Sequence, residues 1–220
     1  MYNAIMRCFL PLFLCLLAIG SAQAAPDPSA LCETAITSAE YAGGLPPRML
    51  MAIATVESGR YDEAAGAVRP WPWTINAAGE GHYYPSKAEA IDAGKAFQAR
   101  GVRSIDIGCM QVNLMHHPDA FASLDDAFNP GANAAYAAKF LNVLRGPGED
   151  WSAAIGAYHS ATPALGDAYR AMVMLRWKGP NLAFKARTEQ AAYRSFQKPE
   201  AVYSAFAQSA QAYGASAVRR

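Results

Sequence analysis

Glycine and proline divide the central part of this 220-residue chain into short helical segments. Composition and apolar spacing between these breaks predict helices over residues 30–42, 45–58, 86–101, 129–146, 150–161 and 164–179. With 52% hydrophobic and 17% charged residues, such segments can bury a core of their own. The sequence therefore predicts one globular domain, mainly α, and excludes a fibrous or a disordered chain.

A different composition follows the second helical segment. The stretch "RPWPWTINAAGEGHYYP", residues 69–85, places β-favouring and aromatic residues on either side of "AAGEG", which predicts a hairpin. Residues 102–113, "VRSIDIGCMQVN", predict a short extended or turning segment. The expected fold is thus a helical domain with one small β element.

The first 24 residues have the pattern of a secretory signal peptide. One cation, Arg7, precedes an apolar run that is short for a bilayer span, and the small residues Ala22 and Ala24 favour cleavage after Ala24. An uncleaved anchor is the alternative. We expect a signal peptide over 1–24, a domain over 25–178 and an extension over 179–220.

The C-terminal extension differs from the body in charge. Residues 178–220 contain seven Lys and Arg against Glu189 and Glu200, and the end of the chain is rich in Ala, Ser and Gln. Such a basic, flexible tail suits an anionic surface or a protein partner. A solvated extension without a function explains the composition equally well.

Two cysteines, Cys32 and Cys109, remain once the signal peptide is removed. In an exported chain such a pair favours a disulfide over a structural zinc site, which needs about four ligands. The disulfide would close a long loop, and loop-closure entropy gives it a contribution on the order of 4 kcal/mol.

An acid closes the most apolar of the predicted helices. In "MAIATVESGR", residues 51–60, Glu57 follows Ile53 by one helical turn and Val56 directly, and Gly59 allows the backbone to leave the helix. A carboxyl group beside apolar side chains has its charged form disfavoured, so it can hold a proton near neutral pH. Glu57 is therefore a candidate general acid.

Three segments carry a family resemblance when they are taken in order: "VESG" at 56–59, "IGCMQVN" at 107–113 and "AIGAYHSATP" at 154–163. Each alone is explained by ordinary packing. Together, over about residues 30–175, the chain resembles the lysozyme-like lytic transglycosylases of the SLT domain superfamily, which cleave peptidoglycan glycan strands. The gap before the second segment is longer here than is usual in the family, and His159 stands where the family usually has Asn.

The resemblance implies an α+β lysozyme-like fold and a role for each matching residue. Glu57 would act as sole acid and base. Gln111 and the backbone around Met110 would bind N-acetyl groups, and Tyr158 would offer its hydroxyl and ring face. Ser58 would cap or orient the acid.

Two further sets of residues keep alternative interpretations. A second acid would suit a two-carboxylate glycosidase, yet Glu80 is more simply a residue of the hairpin turn and Asp106 a surface or loop anion. The hairpin aromatics either form one wall of a sugar-binding groove or build a minor core; they are Trp71, Trp73, Tyr83 and Tyr84.

Other chemistry is disfavoured by the sequence. His116 and His117 are adjacent and lack a metal-binding motif, so we expect no metal and no cofactor. There is no phosphate-binding glycine loop and no basic, aromatic patch in the body, which disfavours nucleotides and nucleic acid.

The sequence thus predicts a monomeric, periplasmic lytic transglycosylase, a lyase that forms 1,6-anhydro-muramic ends and serves a flagellum, secretion system or other envelope machine. The alternatives are a hydrolytic muramidase of the same fold and a non-catalytic wall-binding or assembly module.

Overall fold

The structure is a computed structural model that describes residues 27–148 and 150–179. The predicted signal peptide and residues 180–220 of the tail lie outside the described residues. Seven helices are present in this part of the chain: α1 Pro28–Gly43, α2 Met49–Glu57, α3 Lys87–Ala99, α4 Leu124–Ala127, α5 Pro130–Arg145, α6 Trp151–His159 and α7 Pro163–Lys178. The six predicted helices are confirmed, and α4 is an addition of four residues.

Side-chain caps set the beginnings of three long helices. Asp27 accepts a hydrogen bond from the Ser29 amide at α1, and Asn129 accepts one from the Ala132 amide at α5. Ser86 accepts from the amide of Glu89 at α3, as the capping-box pattern predicts. Such caps contribute about 1 kcal/mol each, which explains why local sequence located these helices.

The main core is built around α2. Its side chains Met49, Leu50 and Ile53 are fully buried against α1, α5 and α7. The start of α2 has no side-chain cap of its own; instead Glu40 on α1 accepts hydrogen bonds from the backbone amides of Arg48, Leu50 and Met51. One buried carboxylate thereby satisfies donors that the helix start leaves without partners.

Six short strands form two antiparallel sheets in the described region. They are β1 Gly59–Asp62, β2 Ala67–Pro70, β3 Thr74–Ala77, β4 Glu80–Tyr83, β5 Ile105–Ile107 and β6 Val112–Asn113. The predicted hairpin is confirmed as β3–β4, in which Thr74 pairs with Tyr83. Instead of one β element there are two sheets, because β5 and β6 extend that hairpin into the order β4-β3-β5-β6 and β1 pairs with β2.

A second, smaller core lies beneath the four-stranded sheet. Ile75, Ile105 and Ile107 point into it from β3 and β5, and α3 and α4 cover it. Trp71 and Trp73 belong to the same core, each with only 8% of its surface exposed. This burial favours the minor-core interpretation of the hairpin tryptophans.

Covalent and ionic links join the helical part to the sheets. The predicted disulfide between Cys32 and Cys109 is present, with an S–S distance of 2.01 Å. The Arg69 guanidinium of β2 binds three carboxylates, those of Asp27, Glu33 and Asp62. Both links fix α1 against the β region. Within residues 27–148 and 150–179, no helix has the length and apolarity needed to cross a membrane.

Candidate active site

Glu57 is the last residue of α2, and the residues after it explain why the helix ends there. Ser58 is buried, and its hydroxyl donates to the carbonyl of Cys109 over 2.7 Å. At Gly59 a Cβ would collide with the Thr55 carbonyl and with Val68, so only glycine lets β1 begin this close to the helix. The Ser58 hydroxyl contacts backbone carbonyls and not the carboxyl group of Glu57, so its role in orienting the acid stays a prediction.

The carboxyl group of Glu57 lies in a desolvated position. The residue is half-buried, and burial raises the pKa of Glu57 from 4.5 to about 8, although a hydrogen bond from Tyr169 works in the opposite direction. Burial dominates because an ionised carboxylate loses its water shell there. At neutral pH the acid therefore holds a proton, as its place beside the apolar helix predicted.

Tyr169 is a site residue that sequence reasoning missed. It lies on α7, is 1% exposed, and its hydroxyl donates to Oε1 of Glu57 over 2.6 Å. Its position in an apolar helical pattern looks like ordinary core packing, so the sequence carries no signal for this contact. The ring of His159 stacks on Tyr169 with centroids 4.7 Å apart, and burial lowers the pKa of His159 to about 4, which keeps the imidazole neutral.

The turn between β5 and β6 contacts Ser58, the residue after Glu57, through its backbone. Gly108 has φ +84° and lies against Asn133, whose carboxamide accepts from the Met110 amide over 2.8 Å and donates to the Ile107 carbonyl over 2.9 Å. A Cβ at Gly108 would lie 2.7 Å from Nδ2 of Asn133. Asn133 is a second residue that the sequence analysis missed, since nothing near α5 in the sequence links it to this turn.

Tyr158 and Gln111 converge on the same turn. The Tyr158 hydroxyl donates to the Met110 carbonyl over 2.8 Å. Gln111 has φ +47°, and its Nε2 donates to the carbonyls of Thr74 and Gly108. The side-chain N–H groups of Gln111 and the backbone N–H of Met110 are the groups expected to bind N-acetyl groups. In the structure they donate to protein acceptors, the Met110 amide to Asn133 and the Gln111 amide to the two carbonyls.

Asp106 is not the surface or loop anion that the sequence suggested. It lies in the middle of β5, is half-buried, and accepts a hydrogen bond from Nδ2 of Asn113 over 2.7 Å. Burial raises its pKa to about 7, and its charge adds to the rise in the pKa of Glu57. Glu80, the other second-acid candidate, is an exposed residue at the hairpin turn, as expected.

The remaining candidates lie in other surroundings. The Tyr83 hydroxyl donates to the Gly59 carbonyl, and Tyr84 packs on the second core. Nδ1 of His117 is 2.9 Å from the Tyr136 hydroxyl within an aromatic cluster. In the part of the chain that the structure describes, no three His, Cys, Asp or Glu side chains are grouped as a metal site would require.

The site therefore combines an acid that is protonated at neutral pH, a tyrosine hydroxyl bonded to it, and a second half-buried carboxyl group within electrostatic reach. Such a set can donate a proton to a leaving oxygen and can stabilise positive charge that develops beside it. These groups come from three different elements, α2, α7 and β5.

Comparison with known proteins identifies the family. The family model described as "Transglycosylase SLT domain" matches residues 34–172, which is more than half of the chain and includes Glu57, Asp106 and Tyr169. No curated protein and no solved structure matches the chain. The family supports a peptidoglycan-acting enzyme of lytic transglycosylase type, and the seven helices with their small antiparallel sheets agree with its α+β lysozyme-like fold. The chain belongs to the transglycosylase SLT domain family.

Proposed function

We propose that this protein cleaves the β-1,4 bond between N-acetylmuramic acid and N-acetylglucosamine in peptidoglycan and leaves a 1,6-anhydro-muramic end. The observation that carries the proposal is the environment of Glu57. This carboxyl group is half-buried at the end of α2, its pKa is raised to about 8, and it has one tyrosine hydroxyl as a hydrogen-bond partner.

Glu57 begins the reaction as an acid. Its proton passes to the glycosidic oxygen, the bond from that oxygen to C1 of the muramic residue breaks, and C1 takes up positive charge. A raised pKa suits this step, because the acid must still carry its proton at the pH of the reaction. The resulting carboxylate lies opposite the new charge.

Glu57 then completes the reaction as a base. The carboxylate removes the proton from the C6 hydroxyl of the same sugar, and the C6 oxygen forms a bond to C1. Glu57 returns to its protonated state and no water is consumed. Tyr169 supports this half of the cycle because its hydroxyl donates to the carboxylate at the moment when Glu57 is charged.

Muropeptide analysis tests the proposal. Purified protein is incubated with sacculi, and the soluble products are analysed by mass spectrometry. Wild type should release anhydro-muropeptides, and Glu57→Gln should release none. Glu63→Gln is the matched control, because Glu63 is an exposed acid in the turn after β1. Products with reducing ends would instead indicate the hydrolytic muramidase, and the absence of any product from wild type would indicate a wall-binding module.

The second carboxyl group is the specific observation that favours the muramidase as the alternative function. Two-carboxylate glycosidases use one group as the acid and the other to activate water or bind the sugar. The charge of Asp106 acts on Glu57, and this coupling supports Asp106 as the second group. The ratio of anhydro to reducing products is the measurement that separates the two reactions.

Location and partner are a separate part of the proposal. The signal-peptide pattern of residues 1–24 supports export to the periplasm, where the wall of a Gram-negative cell lies. The basic composition of residues 180–220 supports recruitment by a flagellar or secretion-system protein. Cell fractionation tests the first statement. Deletion of residues 180–220 tests the second, which fails if pull-down of envelope proteins is unchanged.

A further inference from the structure

A polar row crosses the sheet beside Glu57. In β5, Ile105 and Ile107 point into the second core, so Asp106 between them lies on the opposite face. Its direct partners across the sheet are Asn76 on β3 and Asn113 on β6, and directly paired residues share a face. Three polar residues therefore line the face of the sheet that is turned away from the second core, with a carboxylate in the middle.

Asn113 fixes the orientation of this carboxylate. Oδ1 of Asn113 accepts hydrogen bonds from the backbone amides of Met115 and His116, which leaves Nδ2 to donate to Oδ1 of Asp106. Within the described residues, Oδ2 of Asp106 accepts no hydrogen bond, and it is not among the buried polar atoms that lack a partner. One oxygen is held and the other retains access to solvent.

The position of Asp106 in the chain brings it to the acid. β5 continues directly into the turn at 108–111, which receives the hydroxyl of Ser58 at Cys109 and that of Tyr158 at Met110. Burial is the largest cause of the raised pKa of Glu57 and of Tyr158, and the negative charge of Asp106 adds to both.

We propose that Asp106 is a second functional carboxylate of the active site, which acts through its charge on Glu57 and on the cation at C1. This inference rests on the proposed function. Asp106 exchanges no proton and forms no bond in the reaction, so Glu57 remains the group that gives and takes the proton. A second charged group is distinct from the single-acid site that the family resemblance implies.

Burial is the larger cause of the raised pKa of Glu57, and among the charged groups around it in the described residues Asp106 adds to that rise. Tyr169 on α7 and Tyr158 on α6 present neutral hydroxyls, and His159 on α6 is neutral because burial lowers its pKa to about 4. From the sheet, Asp106 supplies the negative charge. Burial raises the pKa of Asp106 to about 7 and that of Glu57 to about 8, so the two carboxyl groups titrate in the same pH range.

Titration of the free protein tests the coupling without substrate. Carbon-13 NMR of the side-chain carboxyl groups should show that Glu57 titrates in two steps in wild type, because Asp106 ionises in the same range. In Asp106→Asn the second step should disappear, and the main midpoint of Glu57 should fall by about one pH unit because a nearby charge has been removed. A single-step titration of Glu57 in wild type would overturn the proposal, whether or not the variant folds.

Kinetics on sacculi then tests the consequence. Asp106→Asn should lower kcat by about tenfold or more, and the alkaline limb of the rate profile should move to lower pH. Asp106→Glu should recover part of the rate because it retains the charge. The control is Asp92→Asn, which removes an acid with 80% of its side chain exposed on α3, and it should leave both readouts unchanged.

Each pattern of results points to one conclusion. An unchanged pH profile in Asp106→Asn, with or without a lower rate, would give Asp106 a structural role in the β5–β6 turn and overturn the inference. If wild type digests sacculi but Glu57 titrates in a single step, the inference is wrong and the proposed function stands. If Glu57 titrates in two steps but wild type does not digest sacculi, the proposed function is wrong and the coupling of the two carboxyl groups is established.

Discussion

Replacement of Glu57 by glutamine should make the fold less sensitive to alkaline pH. The pKa of Glu57 is about 8 in the folded protein and 4.5 as an ordinary value, so folding favours the protonated form. Between these pH values the folded state binds a proton that the unfolded state has lost, and stability therefore falls as pH rises. A glutamine keeps an oxygen for the Tyr169 hydroxyl and removes the ionisation.

The magnitude follows from the two pKa values. About 3.5 pH units separate them, which corresponds to about 5 kcal/mol when the titration is complete. Between pH 5 and pH 8 the expected loss of stability is about 3 kcal/mol. This is less than the full value because part of the loss has already occurred at pH 5, and because Glu57 in the folded protein is still half protonated at pH 8.

Urea unfolding of the disulfide-intact protein at pH 5 and pH 8 measures this loss. Wild type should lose about 3 kcal/mol more than Glu57→Gln over this range, and Glu63→Gln should behave like wild type. The comparison of pH dependences cancels any change in stability that is the same at both pH values. Parallel pH dependences in wild type and Glu57→Gln, within about 1 kcal/mol, would refute the reasoning that Glu57 is buried as a neutral acid.

Three further outcomes are expected. Tyr169→Phe removes the hydroxyl that stabilises the carboxylate of Glu57, so the alkaline limb of the rate profile should move up by about one pH unit. Gly108→Ala should lower the free energy of unfolding by about 2 kcal/mol, measured in urea, because φ is +84° and Asn133 occupies the space. Reduction of the disulfide should lower the melting temperature and the stability by about 4 kcal/mol, and an unchanged melting temperature would contradict this.

Features that depend on neighbouring residues could be predicted from the sequence. The long helices begin at caps such as Ser86 and Asn129, whose partners lie three residues away. The hairpin follows from a turn between β-favouring stretches. Glu57 could be singled out because its apolar neighbours lie in the same helix, so the sequence alone predicts that part of its environment.

Features that depend on distant residues could not be predicted. Tyr169 meets Glu57 across a sequence separation of 112, and Asn133 meets Met110 across 23. Asp106 looked like a surface anion because its burial depends on a sheet whose other strands lie elsewhere in the chain. The side-chain amide of Gln111 donates to the carbonyls of Thr74 and Gly108, and its contact with substrate stays a prediction.

The disulfide closes a covalent ring that contains both carboxyl groups of the site. Cys32 and Cys109 are 77 positions apart, and the ring between them contains Glu57, both hairpins, α3 and Asp106. A protease that cuts the exposed β1–β2 turn opens this ring without separating the fragments. The nicked protein would remain one molecule with both carboxyl groups in place, and only reduction would let its halves part.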